Sequence, residues 1–530
     1  MKRKILPILF FSLLLFALIS LSASAETEPQ TSPYGLYVGG VAVTEENAAD
    51  VFGDGCATYD VEKNILTLNG FNKTGVSTVS FEGSLVDFSV YAENDTSIRI
   101  TGKGNVFANA VCAVGGNIAV EAAEVSFQGE GFSFLLCALN AESGKNGDIL
   151  IYDSKLQILG YKKINLYGFC AKNVIFQKSD FKMSLADVGE YFSSSIFCAL
   201  SELQALDSHF LFETQFPYAT SLFQGGKIVF DGCDLSVSGA EYVFHSLARE
   251  NKDGSLTLLS SSVTVKDSSN FAESVCVDIE DSTVAAQLYY GGIRVVQSPE
   301  TGAIKVLNSS VDFSCLSFEK LEKRLKEVWN AMDVASKTQY RNDYDYYVSY
   351  TKEKTYPARF AQGYGIAASG GDVSFEKSTF TCEGFRTALY LQYAVTLALG
   401  EGVTLDLKAA EAAFIMASSY ENALKLPSRV RTRFSSIKQM PADPALTDDC
   451  PHLFGAAKKK LTLDESAEST DLLDLLSGEA SHIRIRTAPF APLWLSLTII
   501  GALTALVLGV GVLYILKVSP TRERANKKQK

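Results

Sequence analysis

The sequence predicts an all-β fold, a right-handed parallel β-helix solenoid. The first observation is a repeated block in which every second residue is apolar on both sides of a small polar residue. The block reads ILIYDSKLQI around Ser154, VIFQKSDFKM around Ser179 and IVFDGCDLSV around Cys233. Side chains two positions apart share one face of a strand, so each block is two short strands joined at a hinge. The further hinges are Ser208, Ser261, Ser282, Ser309 and Ser378.

The spacing of these blocks is the second observation that predicts a solenoid. From Ser154 to Ser179, Ser208, Cys233 and Ser261 the steps are 25, 29, 25 and 28 residues. A period of this size with strands in every repeat indicates stacked repeats that bury their apolar faces against each other.

A second repeated motif, an apolar residue followed by Cys-Ala and another apolar residue, surrounds four of the ten cysteines: Cys112, Cys137, Cys170 and Cys198. A residue that recurs once per repeat stacks in a column, and a buried cysteine behaves as a small apolar side chain. We therefore expect these four to stack inward as free thiols, not as a disulfide framework. His245 occupies a similar place in the next repeat, where we expect a satisfied interior or rim histidine.

The N-terminus has the layout of a secretory signal peptide, residues 1–25. Lys2, Arg3 and Lys4 precede an apolar run from Ile5 to Leu21, and small residues follow at 23–25. An uncleaved signal anchor is the alternative. Either interpretation predicts an exported chain.

A second apolar segment predicts one transmembrane helix, residues 492–516. Leu493 to Leu516 carries no charge and is long enough to cross about 30 Å of hydrocarbon. The tail 517–530 is basic, so we expect a cytoplasmic C-terminus and an extracellular ectodomain at the cell membrane. A buried core helix and sortase attachment are the alternatives, but the stretch before the segment contains no LPxTG-like motif.

Residues 26–71 are predicted to form an N-terminal strand module that caps the solenoid. The stretch YGLYVGGVAVTEENAADVFGDG from Tyr34, with the later Leu66-Thr67-Leu68, resembles a module of exported carbohydrate-binding-domain proteins of Gram-positive anaerobes. That resemblance implies a pectate-lyase-like β-helix and a glycan ligand. Tyr37 stands where the module typically has tryptophan, which weakens this position as a sugar platform.

The solenoid is predicted to span residues 72–410, interrupted by an insertion at 316–365, with a C-terminal cap or stalk at 411–491. Within the insertion, Leu321, Leu325, Val328 and Met332 recur at helical spacing. A tyrosine-rich stretch follows the predicted helix. Insertions into repeats form loops on one face, where ligands often bind.

We therefore predict a ligand site in this insertion, because clustered tyrosines offer flat rings and hydroxyl groups to sugars or proteins. The candidate residues are Tyr340, Tyr344, Tyr346, Tyr347 and Tyr350. In the alternative interpretation these rings pack over the helix and attach the insertion to the solenoid.

No linear catalytic or metal-binding motif occurs, so we predict no catalytic residues, no metal ligands and no cofactor. Calcium would suit the acidic exterior, but no motif supports it. Asp153, Asp207 and Asp231 are read as equivalent hinge residues that satisfy turn amides. β-Helix active sites assemble across repeats, so whether the protein is an enzyme stays open, and we favour a non-enzyme.

Three functions remain. The first is a surface module that binds glycan or acts as an adhesin; the second is a spacer that binds another surface protein; the third is a polysaccharide lyase or hydrolase. A formal net charge of −12 argues against nucleic acid as a partner. Gly501, Ala505 and Gly509 form a small-residue stripe that predicts weak homodimerisation in the membrane.

Overall fold

The computed structural model of the chain describes residues 31–439, 480–489 and 498–514, apart from internal gaps. The gaps are 82–83, 130, 133, 141–143, 160–162, 165–166, 185–193, 215–219, 247–253, 296–302, 332–333, 340, 342–343, 346–347, 350–362, 393–394, 417–422, 426–429 and 499. The predicted signal peptide and the basic tail 517–530 lie outside the described residues.

The described chain is all-β, with two short helices in the insertion and a further helical segment near its C-terminus. The first strands are β1 (Leu36–Val38), β2 (Val41–Ala42), β3 (Ala57–Asp60), β4 (Ile65–Asn69), β5 (Ser77–Phe81), β6 (Ser84–Ala92), β7 (Ser97–Phe107), β8 (Ala110–Ala113), β9 (Ile118–Gln128), β10 (Gly131–Phe132), β11 (Leu136–Cys137), β12 (Ile149–Tyr152), β13 (Lys155–Leu159) and β14 (Lys163–Ile164). The middle strands are β15 (Tyr167–Gln177), β16 (Asp180–Ser184), β17 (Ser194–Leu206), β18 (His209–Glu213), β19 (Thr220–Asp231), β20 (Asp234–Ser238), β21 (Tyr242–Ser246), β22 (Ser255–Leu259), β23 (Ser262–Ser274), β24 (Cys276–Glu280), β25 (Thr283–Val295), β26 (Ala303–Leu307) and β27 (Ser310–Cys315). The last elements are helices α1 (Phe318–Ala331) and α2 (Val334–Gln339), then β28 (Tyr364–Ser369), β29 (Asp372–Glu376), β30 (Thr379–Glu383), β31 (Thr387–Gln392), β32 (Thr396–Leu399), β33 (Thr404–Lys408), β34 (Ala412–Met416), β35 (Ala423–Lys425), β36 (Val430–Gln439) and β37 (Ala480–Pro489).

Most strands pair in parallel with their counterparts in the previous and next repeats, which places them in three ladders. The pre-hinge ladder runs through β4, β7, β9, β12, β15, β17, β19, β22, β24, β26, β29, β32 and β35. The post-hinge ladder runs through β7, β9, β13, β16, β18, β20, β23, β25, β27, β30 and β33. The return ladder runs through β6, β8, β11, β15, β17, β19, β21, β23, β25, β28, β31 and β34. The predicted repeated-strand, all-β fold is therefore confirmed.

Each repeat bends at its hinge through one residue in the left-handed conformation. This residue directly precedes the hinge serine; Asp153, Asp207 and Asn308 are examples, with φ of 47–49°. Asp231 lies one position earlier in its repeat than Asp153 and Asp207 do in theirs. Its register partner is Leu206, and Gly232 is the residue in the left-handed conformation. The predicted equivalence of the three aspartates is wrong for Asp231.

The hinge serines form a buried chain of hydrogen bonds along the repeats. The Ser154 N–H donates to Ser179 Oγ at 3.2 Å, and the Ser179 N–H donates to Ser208 Oγ at 3.1 Å. The series continues from the Ser261 N–H to Ser282 Oγ and from the Ser282 N–H to Ser309 Oγ, each at 3.0 Å. A small hydroxyl therefore satisfies a backbone amide that the bend removes from strand pairing.

A column of phenylalanine rings lies in the interior, on the inner face of the return ladder. Phe169, Phe197, Phe223 and Phe244 occupy one register position in four consecutive repeats. Phe197 and Phe223 stack with 5.2 Å between centroids, and each of the four is at most 1% exposed. Burial of these rings is a main source of stability for the stacked repeats.

The four repeated cysteines stack in register, but they face outward, which corrects the prediction that they point into the interior. Cys112 lies between Val111 and Ala113, which belong to the main core, and side chains alternate along a strand. The cysteines form a second cluster with Phe88 and Tyr91, covered by the strand pair β5–β6 and neighbouring residues. They are buried because the N-terminal segment covers this part of the return ladder.

None of the nine described cysteines forms a disulfide. Burial raises the pKa of the Cys233 thiol to about 11, so its reactive thiolate is scarce at neutral pH. We expect iodoacetamide to label Cys112 and Cys137 only after unfolding, without any reductant. Peptide mass spectrometry of the unreduced full-length protein measures this, and a peptide pair linked through these cysteines would contradict it.

Antiparallel strands lie at both ends of the sheet. At the N-terminal end β1 pairs antiparallel with β6, while β4 starts the pre-hinge ladder. At the C-terminal end β37 pairs antiparallel with β33 and with β36. Such pairing covers strand edges that would otherwise expose backbone groups.

A buried carboxylate joins the C-terminal pair to the ladder. Asp406 of β33 accepts hydrogen bonds from Arg484 Nε at 2.9 Å and pairs with His482 Nε2 at 2.8 Å. Burial opposes ionisation, but these two partners together outweigh it and hold the pKa of Asp406 below its usual value.

The C-terminal apolar segment is helical over residues 500–514, and its large apolar side chains are exposed; Leu506 is 65% exposed. Among the described residues, no helix combines the length and the apolar character needed to cross a bilayer.

Candidate functional site

The outer face of the post-hinge ladder carries the main candidate site. Along β13 the apolar Leu156 and Ile158 point into the core, so Lys155 and Gln157 must face solvent. The same alternation holds for β16, β18 and β20. A hinge residue directly precedes each of these four strands: Ser154, Ser179, Ser208 and Cys233.

These outward residues line a groove of about 780 Å³. It crosses β7, β9, β13, β16, β18 and β20, which are consecutive strands of the ladder. Five strand spacings of about 4.8 Å make it roughly 24 Å long. Its shape suits an extended chain molecule lying across the strands, and its volume lies in the range of small-molecule sites.

Two rows of side chains form the floor of the groove. The first outward row consists of the residues directly after each hinge position: Glu124, Lys155, Asp180, His209 and Asp234. The second outward row lies two residues further along each strand: Ser126, Gln157, Lys182, Leu211 and Ser236. Each row places one side chain per repeat.

In the first outward row, carboxylates alternate with a lysine and a histidine along the ladder. Lys155 pairs in register with Glu124 on one side and Asp180 on the other, and His209 lies between Asp180 and Asp234. In the second outward row, Gln157 supplies an amide that can both donate and accept, and Ser126 and Ser236 supply hydroxyl groups. The floor therefore offers closely spaced donors and acceptors of both kinds.

Within the described residues, no group of three or more His, Cys, Asp or Glu side chains is arranged to hold a metal ion. The amide, hydroxyl and charged side chains of the groove floor make it a surface that can donate and accept hydrogen bonds.

A second polar row lies on the outer face of the return ladder, where it continues the cysteine column. Gln224, His245, Glu273 and Arg294 occupy this position in successive repeats. Arg294 Nη1 lies 3.6 Å from Glu273 Oε2, and the Tyr242 ring stacks on His245 with 5.3 Å between centroids.

Burial dominates the electrostatics of this row. It lowers the pKa of His245, which favours the neutral imidazole, while nearby Glu273 acts in the opposite direction. Burial also raises the pKa of Tyr242 well above its usual value, so the phenol stays protonated. Neutral, half-buried rings agree with the expectation of a rim histidine in this repeat.

In the insertion, helix α1 packs against the corner between the post-hinge and return ladders. Leu321 and Leu325 are buried against Tyr289 and Tyr290, and Lys320 Nζ lies 3.0 Å from Asp267 Oδ1. The predicted helix is therefore present, and its apolar side attaches the insertion to the sheet.

Only one of the five predicted ligand-binding tyrosines, Tyr344, is described. Its ring stacks on Trp329 with 4.2 Å between centroids and an angle of 18°, and it packs against the cluster that holds α1. The Tyr344 ring thus packs against the insertion on the face that contacts Trp329. Tyr340, Tyr346, Tyr347 and Tyr350 lie outside the described residues, and their role stays a prediction.

Sequence reasoning missed the groove residues. Lys155, Asp180, His209 and Asp234 follow the hinge residues directly and belong to the repeated block, so the signal was present. It was overlooked because outward positions of a strand vary freely and carry no linear motif. These residues become neighbours only when the strands of consecutive repeats pair in register.

In comparisons with protein-family models, curated proteins and solved structures, the chain matches none of them.

Proposed function

We propose that this chain is a membrane-anchored cell-surface protein that binds an extended polysaccharide in the groove of the post-hinge ladder. The observation that carries the proposal is the groove itself, about 780 Å³ in volume, which lies across consecutive repeats on a floor of amide, hydroxyl and charged side chains. A polymer whose units each present hydroxyl groups can repeat its contacts with each strand. The groove thus replaces the tyrosine-rich insertion as the glycan-binding site that we favour.

The finer architecture that goes with this function is a right-handed parallel β-helix. Support comes from the three parallel ladders and from the general right-handedness of connections between parallel strands of one sheet. The N-terminal resemblance to carbohydrate-binding-domain proteins agrees with both the fold and the ligand.

Membrane anchoring is part of the same proposal. It is supported by the exposed apolar side chains of helix 500–514, by the uncharged sequence around this helix and by the basic residues that follow it. A cleaved signal peptide would place the ladders outside the cell. Protease shaving of intact cells should remove the ladders and leave the C-terminal tail protected.

Glycan binding can be tested by blocking the groove with a large side chain. We expect Gln157→Trp in the full-length protein in detergent to weaken oligosaccharide binding at least about tenfold, which corresponds to about 1.4 kcal/mol. Binding is measured by calorimetry with cello-, xylo-, chito- and galacturono-oligosaccharides.

The matched control is Ala285→Trp, at the second outward position of the same ladder but beyond the groove. Both positions are exposed, so both variants should keep the wild-type melting temperature. Equal binding by the two variants would move the site away from the groove, and a wild-type protein that binds no oligosaccharide would refute glycan binding.

A further inference from the structure

We propose that the groove selects polysaccharides without acidic groups and rejects polyanionic chains such as polyuronates; this inference rests on the proposed glycan-binding function. Its basis is the order of side chains in the first outward row, where Lys155 and His209 each lie between two carboxylates. The ligand class that follows is a neutral or amine-bearing polysaccharide.

The geometry around Lys155 shows why an anion gains little there. Glu124 and Asp180 are its register partners on the two neighbouring strands, each one spacing of about 4.8 Å away. A ligand carboxylate about 4 Å from the ammonium group would lie roughly 6 Å from both protein carboxylates. Coulomb energy falls as the inverse of distance, so the repulsion from Asp180 alone offsets about two-thirds of the attraction. Glu124 adds a smaller repulsion, because Lys103 Nζ lies 3.0 Å from its Oε1.

The same arrangement recurs at His209, which has Asp180 and Asp234 as register partners. Lys182 differs, because Gln157 and Leu211 are its register partners, but Asp180 lies two residues before it on the same face of β16. No part of the described floor therefore concentrates positive charge.

The lining also lacks the side chain that best recognises anionic groups. Among the described residues of the groove, cations are supplied by lysine and none by arginine. Arginine binds carboxylate, sulfate and phosphate through a planar pair of hydrogen bonds, whereas lysine acts as a point charge. The three carboxylates of the first outward row balance Lys155, Lys182 and the Lys103 that pairs with Glu124, so the groove has no excess of positive charge. The negative net charge of the chain adds to the repulsion of an anion.

An amine-bearing sugar would meet the opposite conditions. A ligand ammonium near Asp180 or Asp234 would be attracted by the carboxylate. Uncharged sugars would use Gln157 and Ser236 and would not respond to the charges.

The test compares three oligomers of equal length on the full-length protein in detergent at low ionic strength: the hexamers of N-acetylglucosamine, of glucosamine and of galacturonic acid. We expect the first two to bind and the galacturonate hexamer to bind at least about tenfold more weakly. Galacturonate binding equal to or tighter than that of the neutral hexamer would overturn the inference while leaving glycan binding intact. Failure of all three to bind would instead count against the proposed function.

A paired variant tests the charges directly. Asp180→Asn with Asp234→Asn should raise the affinity for the galacturonate hexamer several-fold, lower that for the glucosamine hexamer and leave the neutral hexamer unchanged. The control is Asp312→Asn with Glu383→Gln, which removes two exposed charges from the same ladder outside the groove. If the control pair changes the affinities as much as the groove pair, overall charge and not the row order decides selectivity.

Discussion

Replacing Phe197 with alanine is expected to lower the free energy of unfolding by about 3–5 kcal/mol. The ring is fully buried and lies between Phe169, with 4.7 Å between centroids, and Phe223, with 5.2 Å. Truncation removes its transfer free energy and leaves a cavity inside a column whose members cannot shift independently. Chemical denaturation of the full-length protein, followed by circular dichroism, measures the loss.

Leu200→Ala is the matched control, three residues further along β17. Leu200 is 54% exposed, so its truncation should change stability by less than about 0.5 kcal/mol. A Phe197→Ala variant as stable as the Leu200→Ala variant would show that the phenylalanine column does not hold the repeats together.

Ser261→Ala is expected to destabilise the protein by about 1–3 kcal/mol, because it leaves a buried amide without its acceptor. The Cys233 N–H donates to Ser261 Oγ at 3.1 Å, and this hydroxyl also lies 2.7 Å from the Leu259 carbonyl oxygen. Ser261 is 3% exposed, so water cannot readily replace the lost partner. The same denaturation experiment reports the change.

Cys233→Ser supplies the control at the equivalent hinge of the neighbouring repeat. The Cys233 sulfur donates a hydrogen bond to the Asp231 carbonyl oxygen at 3.4 Å and accepts one from the Ser208 backbone. A serine hydroxyl can make the same two bonds, so this variant should maintain or raise stability. A marked loss in Cys233→Ser, or none in Ser261→Ala, would contradict a hydrogen-bonding role for the hinge hydroxyls.

The strands around each hinge could be predicted because their two faces differ. In β13 the exposed Lys155 and Gln157 alternate with the buried Leu156 and Ile158, so the period of two is visible in the sequence. The hinge itself is also visible, since a small polar residue recurs at the buried bend in most repeats. Periodicity and hinge chemistry are local properties, and the repeat multiplies their signal.

The cysteine column could not be oriented from sequence. Val111, Cys112 and Ala113 are all apolar and buried, so the alternation that distinguishes two faces disappears. Which face is the core depends on the cover supplied by β5 and β6, which lie far from Cys198 in the chain. The insertion tyrosines pose the same problem, because Tyr344 offers its ring equally well to a ligand or to Trp329.

By itself the sequence determined the repeat, the hinge and the strands on either side of it, because each depends on residues a few positions apart. The tertiary structure alone decided that the cysteines lie beneath an N-terminal cover. It also decided that Lys155 and His209 form one row with the carboxylates Glu124, Asp180 and Asp234. These residues are separated by 25 to 31 positions at each step. They become neighbours only when the register between repeats is set, and that register follows from packing of the buried faces and not from the outward residues.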